Sequence, residues 1–275
     1  MIVPTICTSS DGENTEGIGA LAQYQIFAFA YALASHANFK FDPFTNLQHY
    51  QHCEVTQQEF CDDVNELFKC LKESSKSGVK EVQLQPQMLM KFGQENLHFV
   101  KKALDPLNLC LPKPQKYFSD KDVNVALHLR TYTETDCCTA PVREYLTEGN
   151  KESVKKYYSN ILTKIKEVYY DDNIVLHVYG QGTEENHKFL DEIHDNVQYH
   201  IDEYPPVTLY HMTNADILLM ANSSFSYVPH LFNKTFTVAK PAFHHTLHED
   251  NTVRTTPTGD FDITLLKQYK NERTN

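Results

Sequence analysis

The chain has 275 residues, 41% hydrophobic and 22% charged, and its 36 acidic against 25 basic side chains give a formal charge of −11. That length accommodates one large α/β domain or two lobes of roughly 120–150 residues each. The acidic balance argues against non-specific binding of nucleic acid or of an anionic membrane, so an anionic ligand has to be met locally, by a few cations and backbone amides.

Ile2 to Thr8 is an apolar strand candidate, followed by a polar loop, Ser9 to Gly19, whose glycines at 12, 17 and 19 permit positive φ and close approach of a ligand. From Ala20 to Ala37, Leu21, Tyr24, Phe27, Ala28, Tyr31 and Leu33 recur at helical spacing and give a broad apolar face. The longest apolar run, about Ile26 to Ala34, falls far short of the roughly 20 residues that span a bilayer, and no secretory signal is expected at the start. Phe39-Lys40-Phe41 reads as a second strand. These 43 residues form a β-loop-α-β opening suited to a Rossmann-like lobe, but without GxGxxG no dinucleotide cofactor is expected.

Helices are predicted over about Thr56–Ser75 and Gln87–Leu104, joined by a linker, Glu73 to Pro86. Leu111-Pro112-Lys113-Pro114 is the best boundary candidate, because two close prolines hinder any regular element. The expected division is residues 1–115, an N-terminal lobe, and 116–275, a C-terminal lobe.

The second half alternates more cleanly. Val123 to Leu129 is a strand with Val123, Val125, Leu127 and Leu129 on one face and Ala126, His128 and the following Arg130 on the other. A helix is predicted from Lys151 to Tyr169, a strand over Ile174–Tyr179 ending in Gly180-Gln181-Gly182, and a helix from Glu184 to His194. Strand Val197–Ile201 ends at Asp202-Glu203; a short helix spans Pro206–Thr213; Ala215–Met220 is a strand; a helix opens at Ser223-Ser224 and runs to Phe232. Thr235–Ala239 is the last predicted strand, and Phe261–Tyr269 a closing helix. Near-continuous apolar strands separated by helices imply a parallel sheet covered on both faces, with ligands beyond the C-terminal strand ends. Arg130, Gly180, Asp202 and Ser223 all fall at such ends.

An Arg closing an apolar strand is costly unless an anion or carboxylate meets it. Ser223-Ser224-Phe225-Ser226 stands between a strand and a helix, where hydroxyls cap the helix and its free N–H groups can hold a phosphate. Two anion features on one edge point to a diphosphate. Asp202, an acid at a strand end, is a candidate to meet the ribose or base of a bound nucleotide. His244-His245 and His248-Glu249-Asp250 lack a ligand set at helical spacing, so no metal is expected there. The vicinal pair Cys137-Cys138 lacks CxxC spacing; the seven cysteines read as reduced thiols, for which a cytoplasmic location is expected.

Ala221-Asn222-Ser223-Ser224-Phe225-Ser226, followed by Leu231-Phe232-Asn233-Lys234 and a strand ending in Lys240-Pro241, resembles the C-terminal motif of α1,2-fucosyltransferases. His128-Leu129-Arg130 resembles the start of the H-x-R-R-x-D motif that this family shares with protein O-fucosyltransferases and α1,6-fucosyltransferases. Gly17-Ile18-Gly19 through Gln25 falls where these families carry a GxGNQ-like loop and first helix. The pattern departs at Thr131, where the second Arg would stand, and at Tyr227 and Val228, which replace two Trp. The resemblance implies a GT-B architecture: two Rossmann-like lobes with parallel sheets and a donor cleft between them. It implies an inverting, metal-independent glycosyltransferase that moves a sugar from a nucleotide-diphosphate donor to a glycan hydroxyl. GDP-fucose is the donor by resemblance, with a UDP-pentose such as UDP-xylose as the other candidate. Donor contacts are expected from Gly17, Gly19, His128, Arg130, Gly180, Asp202, Ser223, Ser224, Phe225 and Ser226. Arg130 would stabilise the leaving group, and Glu16 would act as general base, with Glu13, Asp11, Glu134 and Asp136 as alternatives. The different-class alternative is an inactive homologue that binds a nucleotide sugar or glycan without turnover.

Overall fold

The computed structural model describes residues 3–8, 17–47, 53–76, 78, 80–111, 118–130, 150–232, 235–243 and 245–274. It has the α/β architecture expected, with two sheets whose strand pairs are all parallel.

The N-terminal unit is built on a three-stranded sheet in which β1 (Thr5–Thr8) lies between β2 (Asn38–Phe39) and β3 (Glu81–Leu84). Helix α1 (Ile18–Ala34) crosses from β1 to β2 and is buried along nearly its whole length, which is why its apolar face is so broad. The single helix predicted over 56–75 is two, α2 (Gln57–Leu67) and α3 (Lys69–Glu73). A capping box opens α2: Glu59 N–H donates to Thr56 Oγ1 at 3.2 Å and Thr56 N–H to Glu59 Oε2 at 2.8 Å. It stops because Phe68, with its ring fully buried, takes φ −94 and ψ 23. The helix predicted over 87–104 likewise breaks at Asn96 (φ −127, ψ 32) into α4 (Pro86–Glu95) and α5 (Leu97–Leu104). The linker expected between these pairs contains β3.

The C-terminal unit is a six-stranded sheet. In spatial order it runs β6 (Val197–Ile201), β5 (Ile174–Gly180), β4 (Val123–Leu129), β7 (Ile217–Leu219), β8 (Phe236–Ala239), β9 (Thr252–Arg254). The edge strand β9 lies beyond the strand expected to be last. Between strands stand α6 (Lys151–Val168), α7 (Pro205–Asn214) and α8 (Ser224–Phe232), and α9 (Thr264–Thr274) closes the chain on α6. The helix expected over 184–194 is instead two short 3-10 segments, Glu184–Asn186 and Lys188–Glu192.

The two faces of β4 part as its alternation requires. Val123, Val125, Leu127 and Leu129 enter an apolar cluster with Ile161 and Ile165 of α6 and Leu266 of α9. Ala126 enters a second cluster that also holds Leu218, Tyr227 and Leu231 and continues into Ile6, Phe27 and Phe60 of the N-terminal unit. The two units are therefore joined by one apolar interior, in which α1 and α5 pack on α8. Among the described residues no helix is long and apolar enough to cross a membrane.

Candidate functional site

The chain leaves β4 for β5 and β6 on one side, then returns to the other side of β4 with β7. In an open parallel sheet that reversal leaves a crevice at the C-terminal ends of the two strands it separates. Arg130 directly follows β4, and Ala221-Asn222-Ser223 leads from β7 into α8.

The two features meet there. Arg130 Nη1 donates to Ser223 Oγ at 3.1 Å. The same oxygen accepts the Phe225 N–H at 3.2 Å, so Ser223 caps α8 while it anchors the guanidinium. Ser224 and Phe225 are partly exposed at the first turn of α8, where unsatisfied N–H groups and the positive end of the helix dipole favour an anion. Ser226 was expected on the donor but is fully buried, and its hydroxyl donates to the carbonyls of Ala221 (3.1 Å) and Ser223 (3.2 Å). It shapes the strand-to-helix turn.

His128 lies on the Ala126 face, its ring 5.5 Å from that of Phe225. Burial, and after it the charges of Arg130 and Lys240, push its pKa down to about 3, so the imidazole is neutral at physiological pH. Among the described residues its Nδ1, which is buried, has no hydrogen-bond partner. In this structure it is a neutral spacer under Phe225.

Lys240, which in the sequence only closes a strand, directly follows β8. The register makes it part of the site: β4, β7 and β8 are successive neighbours, so Arg130, Ser223 and Lys240 stand at three adjacent strand ends. At about 4.8 Å per strand, Arg130 and Lys240 are roughly 10 Å apart, the reach of a diphosphate with its substituents. Lys240 Nζ also sits 5.8 Å over the Tyr157 ring. A chain of charge −11 thus carries two cations and a helix N-terminus at its topological switch point.

Gly17 caps α1, its carbonyl accepting the N–H groups of Ala20 (3.1 Å) and Leu21 (3.3 Å). Gly19 serves packing: a Cβ there would lie 2.5 Å from Phe225 N and 2.6 Å from Ser224 C, so the room expected for a ligand is filled by the opening of α8. Gln23 supports the same junction, Nε2 donating to the carbonyls of Gly19 (2.9 Å) and Ser224 (3.4 Å). The N-termini of α1 and α8 consequently lie side by side.

On the other flank Gly180 ends β5 beside Leu129. A Cβ there would meet His187 Nε2 at 2.8 Å and Leu129 O at 3.0 Å, so the space is again used internally. Asp202, at φ 53, receives the Gly182 N–H on both carboxylate oxygens at 3.3 Å and donates its own N–H to Gly180 O at 3.0 Å. Exposed and at a strand end two strands, about 10 Å, from that of Arg130, it braces the Gly180–Gly182 turn.

Glu16 and its alternatives Asp11, Glu13, Glu134 and Asp136 lie outside the described residues, as do Thr131 and Cys137-Cys138. Among the described carboxylates, Asp42 lies at the same end of the small sheet. Its Oδ2 is taken by the N–H (3.0 Å) and hydroxyl (2.8 Å) of Thr8. His245 is buried and stacks on Tyr227 at 4.5 Å, an aromatic packing role; among the described residues no cluster of His, Cys, Asp or Glu could hold a metal ion.

No protein-family model matches the chain, and no curated protein matches it. Among solved structures, it is similar to the NodZ α-1,6-fucosyltransferase soaked with GDP-fucose, at 9% identity over 86% of this chain and 95% of that one, with a TM-score of 0.46. It is also similar to the E. coli heptosyltransferase WaaC with ADP, at 12% identity over 100% of this chain and 98% of that one, with a TM-score of 0.44. At such values the functional reading rests on the chain's own residues.

Proposed function

We propose that the chain is a glycosyltransferase that uses a nucleotide-diphosphate sugar, inverting and without a metal, with GDP-fucose as donor by resemblance and a UDP-pentose as the other candidate. The observation that carries this reading is the 3.1 Å bond from Arg130 to Ser223, which unites the His-x-Arg strand end with the Ser-Ser-Phe-Ser helix start at one crevice. Residues 116–275 would hold the donor and residues 1–115 the acceptor side.

In the proposed reaction the acceptor hydroxyl oxygen bonds to the anomeric carbon, and the bond from that carbon to the diphosphate oxygen breaks with its electron pair on the oxygen. The hydroxyl proton passes to a carboxylate, for which Glu16 is the assignment. Arg130, Lys240 and the first amides of α8 meet the charge on the departing diphosphate. Each such contact is worth about 2–4 kcal/mol in the transition state when the donors are fixed beforehand. The bond to Ser223 fixes the guanidinium in this way. The base and ribose would extend toward Gly180 and Asp202.

A thermal-shift panel of GDP-, UDP-, dTDP- and ADP-sugars tests the donor, since a tight ligand raises the melting temperature by mass action. Donor consumption by wild type and Arg130→Ala then tests the reaction. A melting shift without turnover on any acceptor would support the inactive, sugar-nucleotide-binding alternative. No shift with any donor would sink both readings.

A further inference from the structure

Nine residues of α8 separate its N-terminus at Ser224 from its far end at Phe232, about 12 Å away. At that far end, on the opposite edge of the sheet from Arg130, lies a pocket of about 350 Å³. That is within the range of small-molecule sites. One wall is α5, whose His98, Lys101, Lys102 and Asp105 recur at helical spacing on its outer face while Leu97, Val100 and Leu104 enter the core. The other wall is the segment before β9, with His248, Asp250 and Asn251, and Leu231 and Phe232 form an apolar floor.

The chemistry of the walls selects the ligand. Lys101 and Lys102 balance Asp105 and Asp250, so the four charged side chains of the pocket sum to zero. Burial lowers the His248 pKa, which keeps that ring neutral near pH 7. An anion would face two carboxylates and the C-terminal carbonyl ends of both α5 and α8. A metal cation would face two ammonium groups. What remains is a neutral molecule that both donates and accepts hydrogen bonds and has an apolar face. The imidazoles of His98 and His248 lie parallel, 6.2 Å between centroids and 17° apart. His248 is held by Asp250, with Nε2 3.4 Å from Oδ2. These flat rings and the Phe232 floor suit the C–H face of a sugar ring, and the lysine, aspartate and asparagine heads suit its hydroxyls.

We propose that this pocket is a second ligand site, for a neutral sugar unit of a glycan, separate from the crevice at Arg130. It spans α5 of one unit and the 248–251 segment of the other, so an occupant would touch both.

Saturation-transfer NMR on the full chain tests this, with lactose, cellobiose, maltose and xylobiose added singly at millimolar concentration. At least one disaccharide should bind. Its affinity should fall about tenfold in Asp105→Ala and in Asn251→Ala, the loss of one good hydrogen bond, and stay unchanged in Arg130→Ala. Both wall residues are on the pocket rim, and circular dichroism checks that the variants fold. Saturation of no disaccharide, or binding lost in Arg130→Ala but kept in both wall variants, overturns the proposal. So does inorganic phosphate displacing the sugar from the wild type and not from Asp105→Ala. Failure of donor binding at Arg130 leaves this expectation untouched.

Discussion

Gly19 and Phe225 come from opposite ends of the chain, yet a single added carbon on Gly19 would stand 2.5 Å from the Phe225 amide nitrogen. The obstacle is backbone, which cannot swing aside as a side-chain tip can. Gly19→Ala should cost about 1–3 kcal/mol of stability, as overpacking does. Urea unfolding would show it as a lower midpoint at unchanged slope.

Arg130→Ala should lower turnover about 10²–10³-fold, the loss of one preorganised contact to a departing charge. Arg130→Lys should recover only part, because an ammonium cannot match the guanidinium fork at Ser223. Ser223→Ala removes both the cap of α8 and the anchor of Arg130. It should cost about 0.5–2 kcal/mol of stability and reduce turnover as well. The check is steady-state donor consumption beside a urea curve for each variant.

Lys240→Ala should weaken donor binding about tenfold and leave the fold intact, because its ammonium lies at a strand end on the crevice. Titrating the donor by calorimetry decides the matter; equal affinity in wild type and variant would remove Lys240 from the site. In the proposed reaction the cations do the work of a metal, so turnover should persist in excess EDTA.

His128 and His177 both have pKa values pushed down to about 3 from 6.5, in each case first by burial. The neighbouring charges of Arg130 and Lys240 add to this at His128, and His200 and His211 at His177. Between those limits the unfolded chain takes up protons that the folded chain refuses. Stability is therefore full above pH 6.5 and is lost as the pH falls, at up to about 1.4 kcal/mol per pH unit for each histidine. Urea midpoints at pH 7 and pH 5 measure the slope, and His128→Phe should flatten it.

Much of this layout was legible in the residues. The two-residue alternation of Val123–Leu129 placed four side chains in one core and His128 on the opposite face, and the position of Arg130 at a strand end followed from the same pattern. Other elements left weak traces. Glu81-Val82-Gln83-Leu84 is a short edge strand with two exposed residues, and Thr252–Arg254 is three residues held by pairing to β8, so neither has a pattern long enough to read. The breaks at Phe68 and Asn96 were hidden because apolar spacing continues across them. Lys240 carried no signal of its own: only the order of β4, β7 and β8 sets it beside Arg130. Gly19 was legible as a special position, but its use for internal packing depends on Ser224 and Phe225, some 200 residues away along the chain.

The apolar interior that runs from Phe27 and Phe60 through Tyr227 to Ala126 has a thermal consequence. Two sheets that each owned a private core could melt at separate temperatures. Here one face of the large sheet shares its core with the small sheet, while its other face packs on α6 and α9, so the small sheet cannot lose its packing without opening the shared core. A scanning calorimeter should record one heat-absorption peak, its calorimetric and van't Hoff enthalpies equal. Nucleotide sugar bound at Arg130 should shift that whole peak upward without splitting it.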